Sequence, residues 1–173
     1  MNISSNGIAF LKKEEGLRLK AYKDQVGVWT IGYGNTYYEN GVKVKEGEAI
    51  TEARAEQLLR NKLKEFESAV NKTITVEVNQ NKFDAMVSLC YNIGTGGFSK
   101  STLAKRVNNN PYDATIREAF ESWKFAGGKP ILLNRRKREY DLYSSLIPGV
   151  IAEKKSLSCP HCSGSLDIAI TKA

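Results

Sequence analysis

Cysteine is scarce in this chain: Cys90 stands alone, and Cys159 and Cys162 sit close together near the end. An odd, sparse set of thiols excludes the dense, even disulfide framework of a small secreted protein and predicts folding in a reducing compartment. Long apolar runs are missing as well. Ile8-Ala9-Phe10-Leu11 gives way at once to Lys12 and Lys13, too short for a signal-peptide core and far too short to cross a bilayer. The expectation is synthesis in a cytoplasm, with no stable insertion into a membrane. A mean hydropathy of −0.41 excludes a membrane body, while 41% hydrophobic and 26% charged residues exclude global disorder. At 173 residues and 19.3 kDa there is room for one ordinary domain and a short appendage.

Acidic side chains are the minority, 19 against 26 Lys and Arg, which leaves a formal charge of +7 and a pI near 9.3. An excess of this size gathers polyanions, whether nucleic acid, anionic cell-wall glycan or phosphorylated lipid, and by itself selects none of them.

Ser4 or Ser5 is suited to cap a first helix with Ile8 and Leu11 inward, and Gly16 to end it. Residues 17–23 alternate, Asp24 and Gly27 read as a turn into Val28-Trp29-Thr30-Ile31, and Asn40-Gly41 separates Tyr37-Tyr38 from Val42-Lys43-Val44. This pattern predicts a small antiparallel sheet of hairpins. From Thr51 the period turns helical, with Ala55, Leu58, Leu59, Leu63, Phe66 and Val70 on one face of a long connecting helix. A further helix is predicted from about Asn79 to Ile93, burying Phe83, Met86, Val87 and Cys90 and stopping at Gly94, with Gly96 and Gly97 behind it. Another is expected to be capped by Asn110, to begin at Pro111 with Ile116, Phe120 and Trp123 inward, and to end at Gly127-Gly128. The basic run Arg135 to Arg138 leads into Tyr140, Tyr143 and Leu146. The pattern fades past Pro148, so the reading is a globular part over residues 1–148 and a C-terminal tail over 149–173. The fold class is α+β: a small β-lobe, a long helix and a helical lobe, with a cleft between unequal lobes as the natural ligand site.

Glu15 closes the first helix, where the macrodipole prefers cations and disfavours an ionised carboxylate, as a general acid requires. On helix-end statistics alone, a solvated surface residue beside Glu14 is the commoner reading. Asp24 follows nine residues later and Thr30 six beyond it. Two carboxyls and a hydroxyl able to hold water are the parts of an inverting glycosidase, although Asp24 also suits a turn and Thr30 an ordinary strand. Spacing does not decide between these readings. The stretch Glu15-Gly-Leu-Arg-Leu-Lys-Ala-Tyr-Lys-Asp24, followed by Gly27 and Thr30-Ile-Gly-Tyr-Gly34, closely resembles the catalytic segment of phage-type lysozymes, the family of the bacteriophage T4 and lambdoid endolysins. The resemblance continues through Ile50-Thr51-Glu52-Ala53, Leu89 to Gly94, Gly97-Phe98, Ser101-Thr102-Leu103, Trp123, Gly127-Gly128 and Arg135-Arg136. It covers approximately residues 5–147.

The resemblance implies a bilobed lysozyme fold and hydrolysis of the β-1,4 bond between N-acetylmuramic acid and N-acetylglucosamine in peptidoglycan, causing host lysis. It implies Glu15 as general acid, Asp24 as the water-activating or charge-stabilising carboxylate and Thr30 as the water-positioning hydroxyl, with no metal or organic cofactor. Tyr91, Asn92 and Ser101 would lie near the glycan; a core aromatic, a helix-end residue and a helix cap are equally good readings of the three. Where many relatives carry a histidine after the Thr-Ile-Gly-x-Gly stretch, this chain has Asn35, so an ion pair relying on that histidine is absent. Arg135 to Arg138 suit an anion, but such a run is more often a solvated face; the resemblance favours at least one of Arg135 and Arg136 as part of the helical lobe, and with no nucleic-acid fingerprint in the chain no nucleic-acid partner is expected. Cys159-Pro-His-Cys162 is half a zinc ribbon without its second pair, most simply a flexible tail with incidental thiols. The expected enzyme is a monomer acting on the wall after release from the host cytoplasm. Two other classes stay open: a silent wall-binding module with the same fold, and a basic nucleic-acid binder.

Overall fold

The computed structural model describes residues 1–24 and 26–146, and beyond them the backbones of Glu153–Ser158 and Ser165–Ile170. Helix α1, Ser5–Glu15, starts at Ser4, whose Oγ accepts the Gly7 N–H at 3.1 Å. Ser4 also donates through its backbone N–H (3.0 Å) and its hydroxyl to Asp84, a fully buried carboxylate that takes a further bond from Gln80 Nε2 at 2.7 Å. Gly7 is what allows this approach, because a Cβ there would stand 2.6 Å from the Asp84 carboxyl carbon. The first turn of α1 is therefore locked to the helical lobe. At its other end Gly16, at φ +70°, turns the chain sharply into the sheet.

Strands β1, Arg18–Lys23, and β2, Trp29–Gly32, pair antiparallel with Tyr22 opposite Thr30 and Lys23 opposite Trp29, and the register slips between Arg18 and Tyr22. No residue of β1 is fully buried, so its alternation does not mark a buried face. The second predicted hairpin contracts to one bridge, Tyr37 with Lys43, and the loop returns along β1 through Lys20 and Ala49. The sheet is thin, and only its β2 side is covered.

Helix α2, Glu52–Thr73, is capped by Thr51, which accepts the Arg54 N–H at 3.2 Å, and buries the six residues its periodicity predicted. Each large apolar side chain removed from water contributes roughly 1.5–3 kcal/mol, which fixes this helix as the shared wall of both lobes. It packs on β2, on α3 (Gln80–Ile93) and on α4 (Thr95–Ser99). Helix α3 begins at the cap Asn79, ends at Gly94 (φ +83°), and is buried on all sides from Lys82 to Cys90. It is the centre of the core, touching α1, α2, α4 and α7. Burial also pushes the Cys90 thiol up to about 12, the behaviour of a packing residue.

Three expectations change in the helical lobe. Gly96 and Gly97 do not trail α3 but form part of α4, where Gly97 lets the Trp123 ring approach to 3.5 Å of the position a Cβ would take. The helix expected from Pro111 is only α6, Ile116–Glu121. Asn110 ends the preceding helix α5, Thr102–Asn109, and its side chain accepts the Tyr112 N–H at 2.9 Å, an Asx turn that outcompetes helix initiation, while Asp113 makes the next such turn at Thr115. Gly127 and Gly128, both at positive φ, do not terminate α6 but form the tip of a two-residue turn bridged by Ala126 and Lys129. That turn leads to α7, Leu133–Ser144. In the tail, β3 (Glu153–Ser158) pairs antiparallel with β4 (Ser165–Ile170), two strands that the sequence pattern did not announce. Cys159, His161 and Cys162 lie outside the described residues.

Candidate active site

Each candidate residue sits at the end of an element or at its edge. Glu15 is the last residue of α1, and the chain needs only Gly16 and Leu17 to enter β1. Its Oε1 accepts Arg135 Nη2 of α7 at 2.7 Å; Arg135 is nearly buried and Glu15 partly open. Among the described residues no hydrogen bond engages Oε2 of Glu15.

Asp24 ends β1 and closes the turn into β2: its Oδ1 accepts the N–H of Val26 at 3.0 Å and of Val28 at 2.8 Å. Thr30, buried in β2, donates its hydroxyl to the carbonyl of the same Val28 at 3.1 Å. One residue thus holds both, its amide proton on the carboxylate and its carbonyl on the hydroxyl. The turn reading of Asp24 and the strand reading of Thr30 are correct local descriptions, and both side chains bond to the backbone of the one residue Val28.

On the helical side, Tyr91 and Asn92 project from the last turn of α3. The Tyr91 hydroxyl donates to the Tyr33 carbonyl at 2.9 Å, which ties the loop after β2 to the helical lobe. Burial, and next the charge of Glu15, push that hydroxyl well above its usual range. Asn92 is exposed, with its Oδ1 accepting Arg136 Nη2 at 2.9 Å and its amide protons available to a ligand. Ser101 is buried and caps α5, accepting the Ala104 N–H at 3.0 Å, so of the three it stands furthest from a role on a ligand.

Four groups around Glu15 were not among the predicted site residues. Arg135 and Arg136 do not form a solvated face: the run splits, two guanidiniums turned in and Lys137 and Arg138 turned out. Glu139, fully buried, accepts Arg135 Nε at 3.1 Å and the Ser88 hydroxyl at 2.8 Å, and its other oxygen lies 3.2 Å from Arg136 Nη1. Its spacing from the two arginines, four and three residues along one helix, was the available signal. Lys62 of α2 lies 5.0 Å over the Tyr91 ring and donates to the Gly34 carbonyl at 3.2 Å. Burial pushes its ammonium down, against the pull of Glu15 and Glu65. Lys62 also walls a groove of about 630 Å³ between α2 and the loop from Asn35 to Glu39. A larger depression of about 720 Å³, between the N-terminus and α2, holds none of the candidate residues. Asn35 is buried in the β-lobe and exchanges both backbone bonds with Ile31 at 2.9 Å, so the turn is held by main chain.

The arrangement is a partly open carboxyl on a helix end, fixed by a buried arginine, and a second carboxyl and a hydroxyl both held by Val28 at a thin sheet. That is the equipment for acid-assisted hydrolysis. Residues 12–139 match the family model described as phage lysozyme. The chain is 46% identical over 146 residues to the endolysin of Salmonella phage P22, a match that covers 84% of this chain and 99% of that protein. A solved structure of a P22 lysozyme mutant superposes with a TM-score of 0.78 at 46% identity, over 84% of this chain and 99% of that one. The endolysin of the Escherichia coli O157:H7 phage FAHEc1 superposes with the same TM-score of 0.78 at 41% identity, over 83% and 94%. The chain therefore belongs to the phage lysozyme family, glycosidases that hydrolyse peptidoglycan.

Proposed function

We propose that Glu15, Asp24 and Thr30 carry out hydrolysis of the β-1,4 bond between N-acetylmuramic acid and N-acetylglucosamine, with inversion at the anomeric carbon. Glu15 delivers its proton to the glycosidic oxygen as the bond to C1 breaks. Water held by Asp24 and the Thr30 hydroxyl attacks C1 from the opposite face and loses its proton to Asp24. Glu15 is then reprotonated from solvent, and Asp24 gives its proton back to solvent. What supports this reading is Val28, whose N–H donates to the Asp24 carboxylate and whose carbonyl accepts the Thr30 hydroxyl, so that one residue of the turn ties both candidate groups to the same stretch of backbone.

Tyr91 and Asn92 line the glycan in this reading, with Ser101 fixing the start of α5 nearby in sequence. The globular part, residues 1–148, is the lysozyme unit, and residues 149–173 are an appendage to it. The enzyme acts as a monomer, is made in the host cytoplasm and reaches the wall after release; among the described residues no helix is long and apolar enough to cross a membrane. The +7 charge draws it to the anionic wall, more strongly at low salt. Clearing of purified sacculi by wild type beside Glu15→Gln, with NMR of the first anomer released, tests the assignment. Equal clearing by both removes Glu15 from its role, and retention of configuration replaces the water attack with a covalent intermediate.

A further inference from the structure

The buried cluster behind Glu15 contains one acid that the hydrolysis does not use. Arg135 divides its guanidinium between two carboxylates, Nη2 on Glu15 at 2.7 Å and Nε on Glu139 at 3.1 Å. Glu139 in turn lies 3.2 Å from Arg136, whose Nη2 holds Asn92 at 2.9 Å. The Arg136 contact is coulombic rather than hydrogen bonded, since Nη1 and Oε2 both lack hydrogen-bond geometry. Two guanidiniums and two carboxylates make the group neutral when both acids are ionised. A general acid, however, begins its cycle protonated, and with only Glu15 as partner a protonated acid would leave Arg135 buried and uncompensated.

We infer that Glu139 is a positioning residue, a standing counter-ion that keeps Arg135 neutralised while Glu15 carries its proton and so leaves Arg135 free to receive the Glu15 carboxylate formed at proton transfer. This rests on the reading of Glu15 as the acid. Burial pushes the Glu139 carboxyl up against the pull of Arg136 and Arg135, yet in this inference Glu139 keeps its charge through the cycle, because a neutral Glu139 would strand two guanidiniums that themselves do not deprotonate. Ser88 fixes it from α3, so the acid, its arginine and the amide of Asn92 are aligned through one fully buried carboxylate. The groups facing Glu15 are Arg135 and Arg136 from α7, Tyr91 from α3 and Lys62 from α2, with Glu65 beside Lys62 and Glu14 on its own helix. Those facing Glu139 are Arg135, Arg136, Arg138 and Ser88.

Removing the Glu139 charge makes Arg135 pull harder on an ionised Glu15, so the protonated enzyme is lost at lower pH. In kcat/KM profiles on soluble glycan fragments, Glu139→Gln should move the alkaline limb down by about one pH unit, an approximately tenfold loss of kcat/KM on that limb with the plateau retained. Glu139→Asp should bring the limb most of the way back. A folded Glu139→Gln with an unmoved limb overturns the inference and leaves a merely structural residue. Carbon-13 NMR of wild-type protein labelled at glutamate Cδ decides independently of whether the variant folds: Glu139 should keep its carboxylate signal while Glu15 titrates, and a proton on Glu139 in that range overturns the inference. Failure of the Glu15 assignment shows differently, as undiminished clearing by Glu15→Gln.

Discussion

The two lobes hold the proposed site residues by different means. On the helical side, Glu15 is fixed by side chains that arrive from distant parts of the chain: Arg135 from α7, itself held by Glu139 and Ser88 in the core. On the sheet side, Asp24 and Thr30 are fixed by backbone within a few residues, through the two polar groups of Val28. The lesson is that the proposed proton donor depends on long-range packing and the proposed water site on local turn geometry. Damage to the core should misplace the acid, and damage to the turn should misplace the water, each leaving the other in place.

The strongest test of that division is Glu15→Gln, expected to lower kcat by about 10³-fold with the fold kept, because Arg135 retains Glu139. Sacculus clearing and circular dichroism read the two parts, and a loss of fold would mean that the acid is structural as well. Next is Asp24→Asn, expected to cost about 10²-fold in kcat while KM and the turn persist, since an amide oxygen still accepts the Val26 and Val28 protons. A disordered turn in its NMR spectrum would show that the charge, not the hydrogen bonds, shapes the sheet.

How much of this was legible in the sequence follows the same division. The periods of α2 and α3, their starts at Thr51 and Asn79, and the caps Ser4 and Ser101 were readable because they are local. So were the turn at Asp24 and the glycine at 16. The lone α6 was misread because Asn110 and Asp113 bond their own neighbours in a way that composition does not separate from capping. The buried ion network was missed since charge normally marks solvent, and the pairing of Arg135 and Arg136 with Glu139, together with contacts to Glu15, Ser88 and Asn92, makes their burial tolerable.

Two smaller measurements sharpen the contrast. Gly7→Ala drives a methyl against Asp84 and should destabilise by about 2 kcal/mol in denaturant unfolding, with activity falling through α1 and thus through the acid. Unchanged stability would mean that the Asp84 contact has room to give. The least effect belongs to Glu14, whose carboxyl, although burial opposes it, is held below its ordinary value of 4.5 by Arg138 at 2.6 Å. A depressed carboxylate contributes stability that is full above that ordinary value and is lost as pH falls through the folded one. Glu14→Gln should therefore flatten the acid side of the stability curve by less than about 1 kcal/mol, measured by urea unfolding between pH 3 and 6. A steeper acid limb than wild type would contradict the pairing.

Helix α3, enclosed on every side from Lys82 to Cys90, has a kinetic consequence. Its amide hydrogens are expected to trade with deuterium only when the whole chain opens, whereas those of β1 and β2 trade through a smaller excursion that frees the thin sheet alone. The half of the molecule proposed to hold the water would then come apart and re-form many times in the life of one folded molecule, around a proposed proton donor that stays put.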